Sequence, residues 1–365
     1  MRVLDSPAQL GRLLRETPAV LDGDPLFLAE LDNVSVEGAI RAYVVQADST
    51  APVPDQPTVL LGPPSSYYDR WPVVSWGRRV PQDLMSFNRA LFRNYDAVLS
   101  YSFCQSKIPS MIEEDLDADA IVLVVFDGLS YGDWVAYPDV KPCVVEGPTI
   151  TPVGFQRIIG RPSIAQRLFK RGVRGRLGFS HWGRDEGLTN TLFKGFDTGT
   201  QMRRVREFSE VLSGLGRLPG RQSYVQIVTN GLDSICHRHR GRPPVAAIAK
   251  HLYEDLVLAL AERLHRLHVG ALVYVCADHG ILWRPLPDED ELEITTSHQA
   301  PVGSHRYCKG NLLVGHSRHM SAFGRNYTVL EYPYVLSSLG ALEWGVHGGI
   351  SFQESVVPWL KMEVR

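Results

Sequence analysis

The pattern of apolar and polar positions changes character near residue 120. Before it the texture is mixed. Leu10, Leu13 and Leu14 have the spacing of an amphipathic helix, and "IRAYVVQAD" reads as a strand. The proline-rich "STAPVPDQPTVLLGPPSS" reads as a connector, and "DLMSFNRALFRNYDAVLSYSF" predicts a helix and a short strand. After residue 120, unbroken apolar runs alternate with helical patterns. "AIVLVVFDG", "SYVQIVTNGLD" and "GALVYVCADHG" predict three buried strands. "SIAQRLFKRGV" and "PVAAIAKHLYEDLVLALAERLHRLH" predict helices, the second with Ile248, Leu252, Leu256, Leu260 and Leu264 along one face. Strands covered on both faces and alternating with helices imply an α/β fold with a mostly parallel central sheet. In such sheets ligands bind beyond the carboxyl ends of the strands.

Those ends carry the chemistry. The three predicted strands run into Asp127, Asp233 and the pair Asp278–His279. One aspartate after a strand is commonly a helix cap or an Asx turn. Three on one sheet edge repel unless a cation lies among them. His237, four residues after Asp233, shares its face if the chain turns helical there, and Thr151 in "GPTITPVG" offers a hydroxyl. Mixed Asp and His donors suit zinc or manganese better than calcium. A further donor is wanted. Near the C-terminus "EWGVHGGISFQESVVPWL" places His347 after an apolar run, before two glycines and ahead of a predicted helix. Alone, the stretch reads as a turn with a packed histidine. Beside the acidic strand ends, His347 is a candidate ligand, and its glycines would leave room for an ion.

Composition narrows the classes. The 365 residues, 44% hydrophobic, suffice for one large core or a large and a small domain. No apolar run is long enough to span a bilayer, and the first twenty residues lack a signal-peptide core. Cys104, Cys143, Cys236, Cys276 and Cys308 are odd in number and form no CxxC pair, which speaks against a disulfide framework or a thiolate zinc knuckle and for a cytoplasmic location. The net charge of −2 excludes a polycation, but Arg157 to Arg184 holds eight Lys/Arg and no acid. That window is either a solvated face or an anion-attracting rim.

Five motifs in order, "VVFDGLS", "PTITP", "GLDSICH", "CADHG" and "VHGGISFQE", resemble the alkaline phosphatase superfamily; the last, with "VVPWL", resembles its PglZ branch, known from BREX-type phage-exclusion operons. The resemblance covers residues 118–365 and implies a three-layer αβα sandwich; 1–110 would be a smaller N-terminal region of unassigned role. It implies two divalent metal ions, zinc first and manganese second. Asp127, Thr151, Asp278 and His279 would hold one; Asp233, His237 and His347 would hold the other. Family spacing selects His237 over His239. Thr151 would be the nucleophile, with Thr149 as fallback. Asn230, Arg157, Arg161 and Arg184 are candidate contacts to substrate phosphate.

His181 and His239 read as surface or supporting residues. His298, His305, His316 and His319 lack regular ligand spacing and read as a strand-and-loop segment beside the cleft, where His305, Arg306 and Tyr307 could touch phosphate. The function implied is a metal-dependent phosphodiesterase or phosphatase, such as a nuclease or nucleotide hydrolase, in anti-phage defence. Its substrate would be a phosphodiester, nucleotide or nucleic acid, and defence-system proteins its partners, with no membrane involved. A phosphomonoesterase or phosphomutase would use the same metals; a sulfatase is disfavoured because its formylglycine signature is missing. A binding component of a defence complex with structural metals is the rival from another class.

Overall fold

A computed structural model describes residues 84–365 except 94, 138, 184–185, 198, 219–221, 238, 286–290 and 296–303. Before residue 84 it describes only the backbone of two strand pairs, Val20–Asp22 with Arg41–Tyr43 and Thr58–Val59 with Val74–Ser75. The amphipathic pattern at Leu10, most of the proline-rich connector, Arg184 and His298 lie outside the described residues.

Seven strands form the main sheet: β1 (Ala120–Asp127), β2 (Lys141–Val144), β3 (Gly175–His181), β4 (Met202–Arg204), β5 (Ser223–Asn230), β6 (Ala271–Ala277) and β7 (Val356–Val364). Their spatial order is β2-β7-β6-β1-β5-β3-β4. All neighbours pair in parallel except β7, which runs antiparallel to both β6 and β2. All eight residues of β1 are buried, as a central strand covered on both faces requires.

Side-chain alternation sends successive residues to opposite faces. Phe126 meets Trp134, which in turn meets Tyr253 of the long helical stretch Val245–Arg266. Asp127, one residue later, meets Trp182, and Trp182 packs against Phe155 of helix α1 (Thr151–Ile159). The three-layer αβα arrangement is therefore present. The long stretch is not uniformly α-helical: Leu252–Leu258 forms a π-helical segment between two α-helical ones.

Two elements differ from the sequence pattern. The stretch after Arg93 is a second helix, Tyr95–Tyr101, rather than a strand; Tyr95 and Val98, three apart, both enter the core. The chain after His347 makes only one helical turn, Phe352–Ser355, before "VVPWL" becomes β7. Pro358 sits opposite Pro142 of β2, so two residues lacking an N–H face each other in the ladder. The core also reaches back to residue 84: Phe87 packs edge-on against Phe352, and the Asn88 side chain bonds Gln353 and the Phe352 amide.

Parallel pairing places Asp127 level with Asn230, and Phe126 level with Ala277. Asp127, Asp233 and Asp278 thus leave the same edge from three adjacent strands. Helix α1 comes close to that edge because it carries Gly154, where a methyl group would overlap the Asp278 carbonyl. Alanine is favoured over glycine inside a helix by about 1 kcal/mol. Here the clash wins, and Gly154→Ala should lower stability by about 1–3 kcal/mol, read as a drop in the urea midpoint at unchanged slope.

Candidate metal centre

Local backbone chemistry shapes each of the loops that meet here. Gly128 takes φ +78, and any side chain on it would strike Asp233. The Gly128 and His279 amides both donate to Asp278 Oδ1, at 2.9 and 2.8 Å. Trp182 Nε1 donates to Asp127 Oδ2 at 2.6 Å, which leaves Oδ1 to face Thr151. Gln105 Nε2 donates to the carbonyls of Ala277 and Asp278, both at 2.8 Å.

His347 reaches the same edge through a short ladder. Leu282–Trp283, which follows the Asp278–His279 turn, pairs antiparallel with Gly345–Val346. That pairing brings the chain from over sixty residues away and stacks the His347 ring on His279, with centroids 4.0 Å apart. Thr149 locks the arrangement: its carbonyl accepts from His347 Nδ1, while its hydroxyl donates to Gly349 O and accepts from Gly348 N.

Two ligand-like groups result, Asp127–Asp278–His279 and Asp233–His237–His347. Thr151 Oγ1 joins the first, 3.2 Å from His279 Nε2 and 3.5 Å from Asp127 Oδ1. In the second, Asp233 Oδ1 lies 3.1 Å from His237 Nε2 and 3.3 Å from His347 Nε2.

The donor chemistry fits cations. His279 Nδ1 lies 3.0 Å from the Gly280 carbonyl, which can only accept, so Nδ1 carries the hydrogen. Burial, and then the charge of His347, push the His279 imidazole down to about 3, so near neutral pH its Nε2 is a lone pair. That lone pair faces Asp278 Oδ2 at 3.5 Å, and Oδ2 is buried with no hydrogen-bond partner. Only a shared proton or a cation lets these two groups face each other. Burial, and then the neighbouring Asp127, raise the Asp278 carboxyl well above its ordinary range. In the other group burial opposes ionisation of Asp233, but His237 and His347 hold its carboxyl far below the usual range. Burial likewise opposes charging of His347, yet Asp233 raises it. A divalent ion in each group would replace the proton each pair otherwise shares.

The remaining candidates are held by other partners. The Asn230 amide donates to the His181 carbonyl at 3.0 Å, beside Asp127. Arg157 pairs with Glu146 at 3.8 Å and lies over the Phe323 ring; Arg161 lies over the same ring and bonds Gln156. His181 is held by Thr229 and the Arg206 carbonyl, His239 by the Gly241 carbonyl, and His305 by Ser337 and Glu343. Arg306 is no phosphate contact: it is fully buried and bonded to Glu354. Side chains on Gly348 and Gly349 would strike Tyr307 and Arg306. Trp182 and Gln105 escaped sequence reasoning because they lie outside the motifs; Glu354 ends "VHGGISFQE", but its buried partner Arg306 is set only by the fold.

Residues 200–362 match the family model described as the BREX system PglZ alkaline phosphatase-like domain. No curated protein matches the chain. Among solved structures it is similar to phosphonoacetate hydrolase from Sinorhizobium meliloti 1021 in complex with phosphonoformate, at 14% identity over 67% of this chain and 90% of that one, TM-score 0.46. It is similar to murine ectonucleotide pyrophosphatase/phosphodiesterase 5 at 10% identity over 66% and 87%, TM-score 0.42. The C-terminal periplasmic domain of EcEptC from Escherichia coli, a complex with Zn, follows at 12% over 45% and 64%, TM-score 0.33. Likenesses of this size carry no activity across.

Trp182→Phe keeps the aromatic packing on Phe155 but removes the donor to Asp127. It should weaken binding at the first metal group about 10–100-fold, measured by chelator competition, and lower stability of the metal-free protein by about 1–3 kcal/mol.

Proposed function

We propose that this protein is a metal-dependent phosphoester hydrolase that acts on phosphodiesters, with Thr151 as its nucleophile. The observation that carries the reading is the unpartnered Asp278 Oδ2 facing the His279 Nε2 lone pair, with Thr151 Oγ1 3.2 Å from the same nitrogen. Asp127, Asp278, His279 and Thr151 would hold one divalent ion; Asp233, His237 and His347 would hold the second. Zinc suits this mixture of carboxylate and imidazole donors, with manganese as the alternative. Such ions lower the pKa of a coordinated hydroxyl and offset charge on the phosphoryl oxygens.

The chain's own residues supply the rest. Thr151 is the first residue of nine-residue α1, so its hydroxyl stands at the positive end of the helix, where an anion is favoured. Thr151 Oγ1 gives up its proton and bonds to phosphorus; the leaving alcohol departs with the electron pair of its P–O bond and takes up a proton. Water then cleaves the bond between Thr151 and the phosphoryl group. Thr149 is fully engaged with the His347 loop, which favours Thr151 over it. The basic stretch from Arg157 supports a polyanionic substrate. The family description supports a place in phage exclusion, with partner proteins from that system.

Metal analysis of the purified chain should find close to two divalent ions per molecule, and removal by chelation should abolish hydrolysis of bis-p-nitrophenyl phosphate. Thr151→Ala should lower turnover at least about 10³-fold while keeping both ions and the fold. Turnover retained in that variant would remove Thr151 from the reaction. A preference for the mono-ester would replace diesterase by phosphomonoesterase, and a metal-free folded protein would end the reading.

A further inference from the structure

Arg306 and Glu354 form an ion pair with no exposed side-chain surface. Arg306 Nε and Nη2 reach Glu354 Oε1 and Oε2 at 3.2 and 2.7 Å. The remaining guanidinium hydrogens go to the carbonyls of Leu330, Glu331 and Tyr334. Pairs this deep rarely add net stability, since desolvation offsets their attraction. Its connections point to another role.

Glu354 touches both halves of the candidate centre. Its carboxylate accepts the Gly349 amide at 2.9 Å, two residues after His347, and the Ser351 hydroxyl at 2.8 Å. Its backbone carbonyl accepts the Gly280 amide at 2.8 Å, directly after His279. The neighbouring Gln353 carbonyl accepts from Ser130 Oγ, which in turn accepts from Ile281 N. Gly349 lies so close to Arg306 that a methyl group there would stand 2.5 Å from Nη2. The guanidinium therefore sets how far the glycine loop can settle, and one residue ties that loop to the Asp278–His279 turn.

We propose that Arg306 and Glu354 are a positioning pair that fixes His347 against the Asp278–His279 turn and so sets the spacing of the two metal groups. The inference rests on the two-metal reading above. Arg306→Lys keeps the charge but loses the planar fork. Gly349→Ala keeps both charges and pushes the guanidinium away from the loop.

The test is calorimetric titration of metal-free protein with Zn²⁺, alongside circular dichroism and His347→Ala as reference. In both variants the binding event that His347→Ala lacks should weaken about 10–100-fold, while the other event keeps its wild-type affinity. Two wild-type affinities in either folded variant would overturn the proposal, as would equal weakening of both events. If Arg306→Lys fails to fold, Gly349→Ala decides alone. Fewer than two events in the wild type would instead defeat the two-metal reading.

Discussion

The constraint on which the rest of this protein depends is the convergence of like groups at one sheet edge. Asp127, Asp233 and Asp278 leave three adjacent parallel strands, and His237, His279 and His347 point ring nitrogens among them. Buried carboxylates that face imidazole nitrogens need a proton or a metal cation between them. A fold built only for stability would place apolar or self-satisfied groups there. The surrounding structure instead spends many of its hydrogen bonds on holding these side chains in place.

That holding follows a consistent division. One carboxylate oxygen or ring nitrogen of a site residue is tied to the framework and the other is turned inward. Asp127 gives Oδ2 to Trp182, Asp278 gives Oδ1 to two amides, His279 and His347 each give Nδ1 to a carbonyl. This is the arrangement metal-ligating side chains need, because the outer bond fixes tautomer and orientation while the inner atom stays available. Thr151 fits the same logic from α1, whose approach depends on the missing side chain at Gly154.

Much of this was legible in the chain. Apolar runs of strand length ending in Asp gave the parallel sheet and the edge where Asp127, Asp233 and Asp278 gather. The order of five short motifs pointed to the PglZ branch, and residues 200–362 match the PglZ family model. The helix at Tyr95–Tyr101 and strand β7 were not legible, for a common reason: short apolar segments suit either state, and only their neighbours decide. Tyr95 and Val98 share a buried helical face, while "VVPWL" is claimed by the open ladders of β2 and β6.

Sequence by itself determined which residues have the chemistry, because ligand type and position after a buried strand are local properties. Tertiary structure decided which of them meet. His347 became part of the centre through a two-residue ladder to Leu282–Trp283 and a clamp from Thr149, contacts that join segments far apart in the chain. It also reversed the roles of neighbours: Arg306, basic and beside the cleft in sequence, is buried against Glu354, and the glycines after His347 make room for Tyr307 and Arg306. Charge and spacing are written in one dimension, but burial and partnership exist only once the sheet edge has assembled.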